Sequence, residues 1–389
     1  MRERCILSVL AILCLNACAT RDDAATTRGG AVVPQHFASS AVRADRFDPG
    51  FADRYAPRPS EPGSVNYALI DEALDLIVFN AGPSLRRRQR RPEAGVGTRL
   101  ARGHVGPFRL EGNKVFFSQF DDEAKASISE YRDSLERIGG SGRIQRLSRN
   151  EQLAYWYNLH NFVVIDEIAQ RYPVRFPREI EIGPDGETFH DAPIVRLGDD
   201  TLSLRDVRRL VYTHWNDPKV MYGFYLGDVG GPSLRPEAYT GGEVAGDLDR
   251  QAREFVNSLR GVIGGGGTLY VSEFYDEARP YFFQDWPGAL RAHMAEFADA
   301  EVAGLLAEER PVRYGQYERR IADMAGGEPY SDYRAGAAIG TMNGISPAMF
   351  RMVTEYREKL DELREEGHLK GRVLIIDVPT DDPDDAEVD

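Results

Sequence analysis

The sequence predicts an α+β domain, with one central buried helix packed on a small mixed sheet and a helix–strand extension at the C-terminal end. Three observations carry this. Helix-like and strand-like patterns alternate along the chain, which indicates a mixed architecture. The strand-like runs are few, short and unevenly spaced, so a regular mixed α/β sheet is only the alternative. One stretch, SRNEQLAYWYNLHNFVVIDEIAQRYP (148–173), is apolar on nearly every helical face, and such a helix is buried rather than surface-lying.

The elements follow in order. VNYALIDEALDLIVFNAG (65–82) has helical spacing and ends in Asn-Ala-Gly, a C-cap signal. GPFRLEGNKVFFSQF (106–120) reads as a strand. DDEAKASISEYRDSLERIG (121–139) is an amphipathic helix with acids in its first turn. Ser148 with Glu151 makes a capping box for the buried helix, and Pro173 stops it. IVRLGDDTLSL (194–204) reads as a hairpin, and Ser203 caps the helix LRDVRRLVYTHW. KVMYGFYL (219–226) is apolar throughout and reads as a buried central strand. GEVAGDLDRQAREFVNSL (242–259) is helical. Gly264–Gly267 make a flexible turn before TLYVSEF, with no phosphate-loop spacing. SPAMFRMVTEYREKLDELREEG (346–367) is a helix with Ser346 at its N-cap, Pro347 at N1 and Gly367 past its end. RVLIIDV (372–378) reads as a last strand.

The N-terminal residues set the context. Arg2 and Arg4 precede CILSVLAILCL (5–15), an apolar run too short to span a bilayer, which takes about 20 residues. Leu15-Asn16-Ala17-Cys18 then resembles the bacterial lipobox. This implies cleavage before Cys18, lipid on its thiol, and, with Ala19 following, transfer to the outer membrane. An ordinary secretory signal cut near Ala17 or Ala19 is the alternative. The expected organisation is a signal peptide over 1–17, a lipidated Cys and tether over 18–60, a globular domain over 61–325, a C-terminal helix and strand over 326–380, and an acidic tail over 381–389. The three cysteines are Cys5, Cys14 and Cys18. The processed chain is therefore expected to hold neither a free thiol nor a disulfide, which removes thiol catalysis and thiolate metal sites. The net charge of −14 argues against nucleic acid as a partner, because that affinity comes largely from phosphate neutralisation. SLRRRQRRPE (84–93) is a basic cluster inside this acidic chain; it reads either as a solvated loop or as a contact for anionic headgroups.

The chemistry-bearing candidates centre on the buried helix and on YLGDVGGPSLRPEAYT (225–240). Buried amides and imidazoles cost free energy unless hydrogen-bonded. Asn158 and Asn161 share a helix face, and His160 lies on another, near Trp156 and two turns from Glu167. In one reading these groups pin neighbouring backbone, including the 225–240 loop. In the other they line a cleft and bind or activate a ligand. The ligand-binding candidates are Asn158, His160, Asn161, Gly230, Gly231, Ser233 and Arg235. The weak catalytic candidates are His160, His190 and Asp228, with Glu237 as a further carboxylate. Ser233 lacks an assigned base. No metal-ligand spacing appears, and no cofactor is expected.

The segment Glu151-Gln152-Leu153-Ala154-Tyr155-Trp156-Tyr157-Asn158-Leu159-His160-Asn161 resembles the signature of the domain-of-unknown-function family 547. DDTLSLRDVRRLVYTHWNDPKVMYGFYLG (199–227) and GGPSLRPEAYTGGEVAGDLDRQAREFVN (230–257) resemble two further blocks of that family, in order and spacing. LYVSEFYDEARPYF (269–282) stands in the place of another, so the resemblance covers roughly 65–310. The family brings no established general activity. Its members commonly have His where Met221 stands, and Cys where Leu226 and Gly231 stand. The resemblance therefore implies that no His–Cys chemistry operates in this chain. The frame Pro232, Leu234, Arg235, Pro236, Glu237, Ala238 and Tyr239 is kept. Three functions follow as expectations: a membrane-anchored, non-thiol ligand- or partner-binding domain; an envelope hydrolase or transferase using His160 or His190 with nearby carboxylates; and an assembly protein acting through helix 346–366.

Overall fold

Residues 49–93, 103–182, 186–315, 317–328 and 346–367 are described by the computed structural model, and all belong to one unit spanning 48–389. The signal peptide, Cys18, the first part of the tether, the 372–378 strand and the acidic tail lie outside the described residues.

The centre of the fold is the helix Arg149–Arg171. Ser148 Oγ accepts from the Glu151 N–H (3.3 Å) and fixes its start. From Gln152 to Ala169 every residue is buried. An element with no polar stripe must be enclosed, and helices Asp122–Gly140, Leu204–His214 and Val244–Val256 pack around it. The α+β class holds, but the central helix is wrapped by helices and loops rather than laid on a sheet. The strands form four small separate sheets, three of them two-stranded hairpins or ladders. The fourth joins Val262–Gly265 antiparallel to Thr268–Val271, which then pairs parallel with Val312–Tyr314. Its hairpin turns on Gly266 and Gly267, both at positive φ (55° and 73°). Such a two-residue turn needs positive φ at both central positions, which is why the run of four glycines is an ordered corner rather than a flexible one.

Several elements follow the sequence closely. The hairpin pairs Val195–Leu197 with Asp200–Leu202. Ser203 and Asp206 make a complete reciprocal capping box on the next helix. Pro347–Glu365 starts on Ser346 and is followed by Gly367 at φ 75°. Others differ. The 65–82 helix spans only Ala68–Ile77, because Val78 and Phe79 leave it to pair with Val115 and Lys114. Within 106–120 only Lys114–Val115 is strand, and Phe117–Gln119 is a 3-10 turn. The domain begins before residue 61: Pro49–Arg54 is a helical turn, and Phe51 and Tyr55 are buried, with the Tyr55 ring edge-on to Trp156.

The expected central strand at 219–226 is corrected. Pro218–Gly223 is a 3-10 helix, started by Asp217, whose side chain accepts from the Lys219 N–H, and by Pro218 at its first position. Val220 to Leu226 are buried as the composition suggested. Three of their backbone groups, Val220 O, Gly223 O and the Tyr225 N–H, are met by Tyr157 and Asn161 of the central helix, and Leu226 O by His190, rather than by a neighbouring strand.

Candidate functional site

Asn158 and Asn161 sit one turn apart on the buried helix and act as surrogate strand partners. Asn158 Nδ2 donates to the Tyr239 carbonyl (2.8 Å), and its Oδ1 accepts from the Tyr239 N–H (2.9 Å). Asn161 Nδ2 donates to the Gly223 carbonyl (3.0 Å), and its Oδ1 accepts from the Tyr225 N–H (2.9 Å). Each carboxamide therefore satisfies one buried C=O and one buried N–H, as a ladder residue would. Gly223 is small for a matching reason: a Cβ there would lie 2.4 Å from the Tyr157 ring. The two asparagines thus pin both ends of the 225–239 loop from behind.

The same geometry fixes the state of His160. Asn161 Oδ1 cannot donate, so His160 Nδ1 carries the proton and donates to it (3.1 Å). Nε2 is then a bare acceptor and takes a hydrogen bond from Arg208 Nη1 (3.0 Å). His190 repeats the pattern: its Nε2 donates to the Leu226 carbonyl (3.1 Å), and its Nδ1 faces the same Arg208 Nη1 (3.4 Å). One guanidinium nitrogen therefore bridges two neutral imidazoles. Burial first, and the Arg208 charge second, push both well below the usual imidazole range. Arg208 is held in place by a bidentate pair with Glu277 (2.6 and 3.0 Å), which also accepts from Arg205 (3.1 Å). Burial would raise the Glu277 carboxyl, but Arg208 and Arg205 outweigh it and hold it at about 2. Asp191 does not orient His190. It accepts from Arg205 Nε (2.6 Å) and from the Thr188 hydroxyl (2.9 Å). Glu167 does not reach His160 either, for it pairs with Arg132 and Arg171.

Asp228 forms a second buried node. It accepts from Arg178 Nε (2.6 Å), from the Tyr317 hydroxyl (2.7 Å) and from the Gly231 N–H (3.1 Å). Burial raises its carboxyl above the ordinary range, against the lowering pull of Arg178. Around it the backbone of 227–230 bonds to 318–322: Val229 N–H to Arg320 O, Gly230 N–H to Glu318 O, and Ala322 N–H to Gly227 O. Gly230 has the Tyr317 ring 2.7 Å from where a Cβ would be, so it leaves room for that ring rather than for a ligand. A Cβ on Gly231 would stand 3.3 Å from the Leu226 Cβ. The two positions where relatives carry cysteines are therefore neighbours in space.

The front of the loop faces a half-open cleft of about 770 Å³. Its walls come from 80–86, Asn113, Ser233, Arg235, the 250–257 helix face, Asp299, Glu301 and the end of the C-terminal helix at 362–366. The lining is strongly polar and carries both signs of charge. Arg235 is set by an ion pair to Asp247 (2.5 Å) and by stacking over the Tyr239 ring (4.8 Å). The Ser233 hydroxyl accepts from the Asn113 N–H (3.2 Å) and from Arg260 Nη1 (3.2 Å), and it donates to Glu254 Oε2 (3.3 Å). Arg260 also donates to the Gly231 carbonyl (2.9 Å) and pairs with Glu254. Beneath this floor lie two fully buried lysines. Lys114 donates to the Glu111 and Gly112 carbonyls (2.6 and 2.8 Å), and Lys359 to the Leu110 carbonyl (2.8 Å). Burial brings Lys359 down to about 8 and takes Lys114 well below its ordinary range, with Arg260 adding to the second.

The sequence candidates thus separate into four places. Asn158 and Asn161 hold the loop, and His160 and His190 meet at Arg208. Asp228, with Gly230 and Gly231, closes the loop's start, while Ser233 and Arg235 line the cleft. Glu237 sits at the exposed end of an Arg235 pair (2.8 Å). Arg208, Glu277, Arg260 and Lys359 were missed. Two of them left a trace: Arg208 falls on the apolar stripe of Leu204, Val207 and Val211, and Lys359 on that of Met352, Tyr356 and Leu363. A cation on a buried stripe marks a polar node. Among the described residues no group of three or more His, Cys, Asp or Glu is placed to hold a metal ion.

Fold and site together define an α+β domain built on one enclosed helix, with a polar cleft in front of a pinned loop. Residues 144–256 of this chain match the family described as Protein of unknown function, DUF547. The matched stretch runs from just before the central helix through the whole pinned loop to the end of the 244–256 helix. It is narrower than the 65–310 span suggested by the blocks. No curated protein and no solved structure matches the chain.

Proposed function

We propose that this chain is a lipid-anchored envelope protein, held on the periplasmic side of the outer membrane through Cys18, whose domain binds a polar ligand or partner without thiol chemistry. The observation that carries the binding reading is the construction of the cleft. Its Ser233–Arg235 wall is fixed from behind by Asn158 and Asp228 and from below by Arg260. A preorganised wall loses little freedom on binding, so its hydrogen bonds count more fully toward affinity. Arginines at 86, 235, 250 and 253 and carboxylates at Glu254, Asp299, Glu301, Glu362 and Glu366 line the cleft, which suits a polar ligand carrying hydroxyls or charged groups of both signs.

The enzyme reading, an envelope hydrolase or transferase using His160 or His190, is less well supported. Both imidazoles are buried, and each ring nitrogen already has a protein partner, so neither is free to take a substrate proton.

Two measurements test the proposal. The chain purified from the periplasm is expected to carry a bound small molecule by native mass spectrometry, and the charge-reversed Arg250→Glu/Arg253→Glu variant is expected to lose it with unchanged circular dichroism. A variant that retains the same bound mass removes the cleft from the proposal. Cys18→Ser is expected to move the protein from the membrane to the soluble periplasmic fraction after a high-salt wash, which removes electrostatic attachment; unchanged fractionation at high salt refutes the anchor.

A further inference from the structure

We infer that the extended segment 87–91 is a docking ribbon for the phosphate headgroups of an anionic phospholipid surface. The choice of a lipid surface rests on the anchored reading; the charge and geometry of the ribbon do not. Four of its five residues are arginines, in a chain whose net charge is −14. All four, Arg87, Arg88, Arg90 and Arg91, are exposed, and the segment has no helix or strand structure.

The backbone is nevertheless held. At its head, Arg86 adopts a left-handed conformation (φ 49°), uncommon for a side chain of this size. Its guanidinium compensates by donating to the Ser258 and Val262 carbonyls (3.1 and 3.0 Å) and to Glu301 (2.7 Å). Further along, the Gln89 N–H donates to the Pro107 carbonyl (2.9 Å), and the Arg90 carbonyl accepts from Arg109 (2.8 Å). The main chain is thus tied down at three points, while the charged side chains are left outward. Arg87 has a carboxylate partner, Glu362 (2.7 Å), and Arg88 lies over the Phe108 ring (5.8 Å). Arg90 and Arg91 make no ion pair among the described residues.

Exposed arginines in an acidic protein are usually drawn into surface ion pairs. A fixed row in which Arg88, Arg90 and Arg91 have no carboxylate partner among the described residues is complementary to a plane of phosphates, which guanidinium groups engage in bidentate fashion. The acidic remainder of the surface would be repelled from the same plane, so the ribbon also sets orientation. Because Ser84 and Arg86 line the cleft and the ribbon continues from them, this orientation brings the cleft wall close to the lipid.

The test uses the chain from residue 18 onward carrying Cys18→Ser, so that no lipid contributes. Its co-sedimentation is measured with vesicles of phosphatidylglycerol in phosphatidylcholine and with vesicles of phosphatidylcholine alone. Binding to the anionic vesicles is expected, weakening as salt rises. At about five-fold per arginine, Arg88→Gln/Arg90→Gln/Arg91→Gln is expected to lose about a hundred-fold in partitioning, with an unchanged thermal midpoint. Equal binding by the variant, or equal binding to neutral vesicles, overturns the inference. So does millimolar inorganic phosphate that stabilises the chain and displaces it from vesicles, since the site would then be one for a free anion. Failure of this test leaves the anchor standing on the Cys18→Ser fractionation result, and failure of that result leaves the ribbon standing on this one.

Discussion

Replacing Asn161 with leucine tests whether side-chain amides stand in for a missing strand. Leucine is close to asparagine in size, so the change removes polarity more than volume. Three buried groups lose their partner: the Gly223 carbonyl, the Tyr225 N–H and the His160 Nδ1–H. An unsatisfied buried group costs about 1–3 kcal/mol. Three of them, with some relaxation of the 3-10 segment, give a loss of about 3–6 kcal/mol. Asn158→Leu orphans only the two backbone groups of Tyr239 and is expected to cost about 2–4 kcal/mol. The assay is urea unfolding followed by tryptophan fluorescence, with Trp156 in the same helix as reporter. At a slope of about 3 kcal/mol per molar, Asn161→Leu moves the midpoint down by about 1–2 M. A loss below about 1 kcal/mol, or one smaller than that of Asn158→Leu, would show that water or a rearranged backbone satisfies these groups, and the surrogate-strand account would fall.

The remaining predictions concern protonation, packing and the two family cysteine positions. His104, His160, His190 and His293 are all buried with imidazoles pushed down, to about 3 for the first and about 4 for the last. A base depressed in the folded state contributes stability that is fully present above its unfolded value near 6.5. That stability is lost as pH falls, at about 1.4 kcal/mol per unit for each group. Asp323, raised to about 6, and Asp228, Asp247 and Glu318, all raised by burial, oppose this over part of the range. The thermal midpoint is therefore expected to fall between pH 6.5 and 5, while the depressed Lys114 and Lys359 make it rise with pH toward the unfolded lysine value near 10.4; a flat profile from 6.5 down to pH 5 contradicts the buried neutral imidazoles. Arg208→Met removes a buried guanidinium and leaves the partly exposed Glu277 with Arg205; it is expected to destabilise by about 1–3 kcal/mol in calorimetry. A neutral result there would mean the bidentate pair is not formed. Leu226→Cys/Gly231→Cys is expected to close a disulfide on oxidation, read as a loss of 2 Da, because the two Cβ positions lie 3.3 Å apart, at the edge of the range such bridges use. Two alkylatable thiols after oxidation would disprove the proximity.

What could be read from the sequence was local. The central helix, its serine cap, the 195–202 hairpin and the Ser203 capping box are specified by residues within a few positions of one another. The 219–226 strand was misread because an apolar run reports burial, not conformation. Pro218 and Asn161 of another helix decide the conformation, and nothing inside the run shows that. The pinning role of Asn158 and Asn161 was legible because buried amides must have partners, and the loop after a glycine-rich turn is the natural claimant. The meeting of His160 with His190 was not, since Arg208 joins residues thirty positions apart through a third element. The cleft was least legible of all. Its walls come from six separated segments, and only the packing of the C-terminal helix on the domain brings 362–366 opposite Ser84 and Arg87.

The pair of asparagines also bears on how this domain can change. The entropic cost of closing the 225–239 loop is met by a rigid helix holding both ends about one turn apart, with the Asp228–Gly231 bond inside the loop adding to it. Closure is thereby decoupled from content. Residues at the cleft rim, such as Arg235, can be exchanged without the chain having to find a new way to return. The helix serves as a socket into which differently worded loops can be fitted, and a transplanted 232–237 segment is the natural starting point for altering what the cleft accepts.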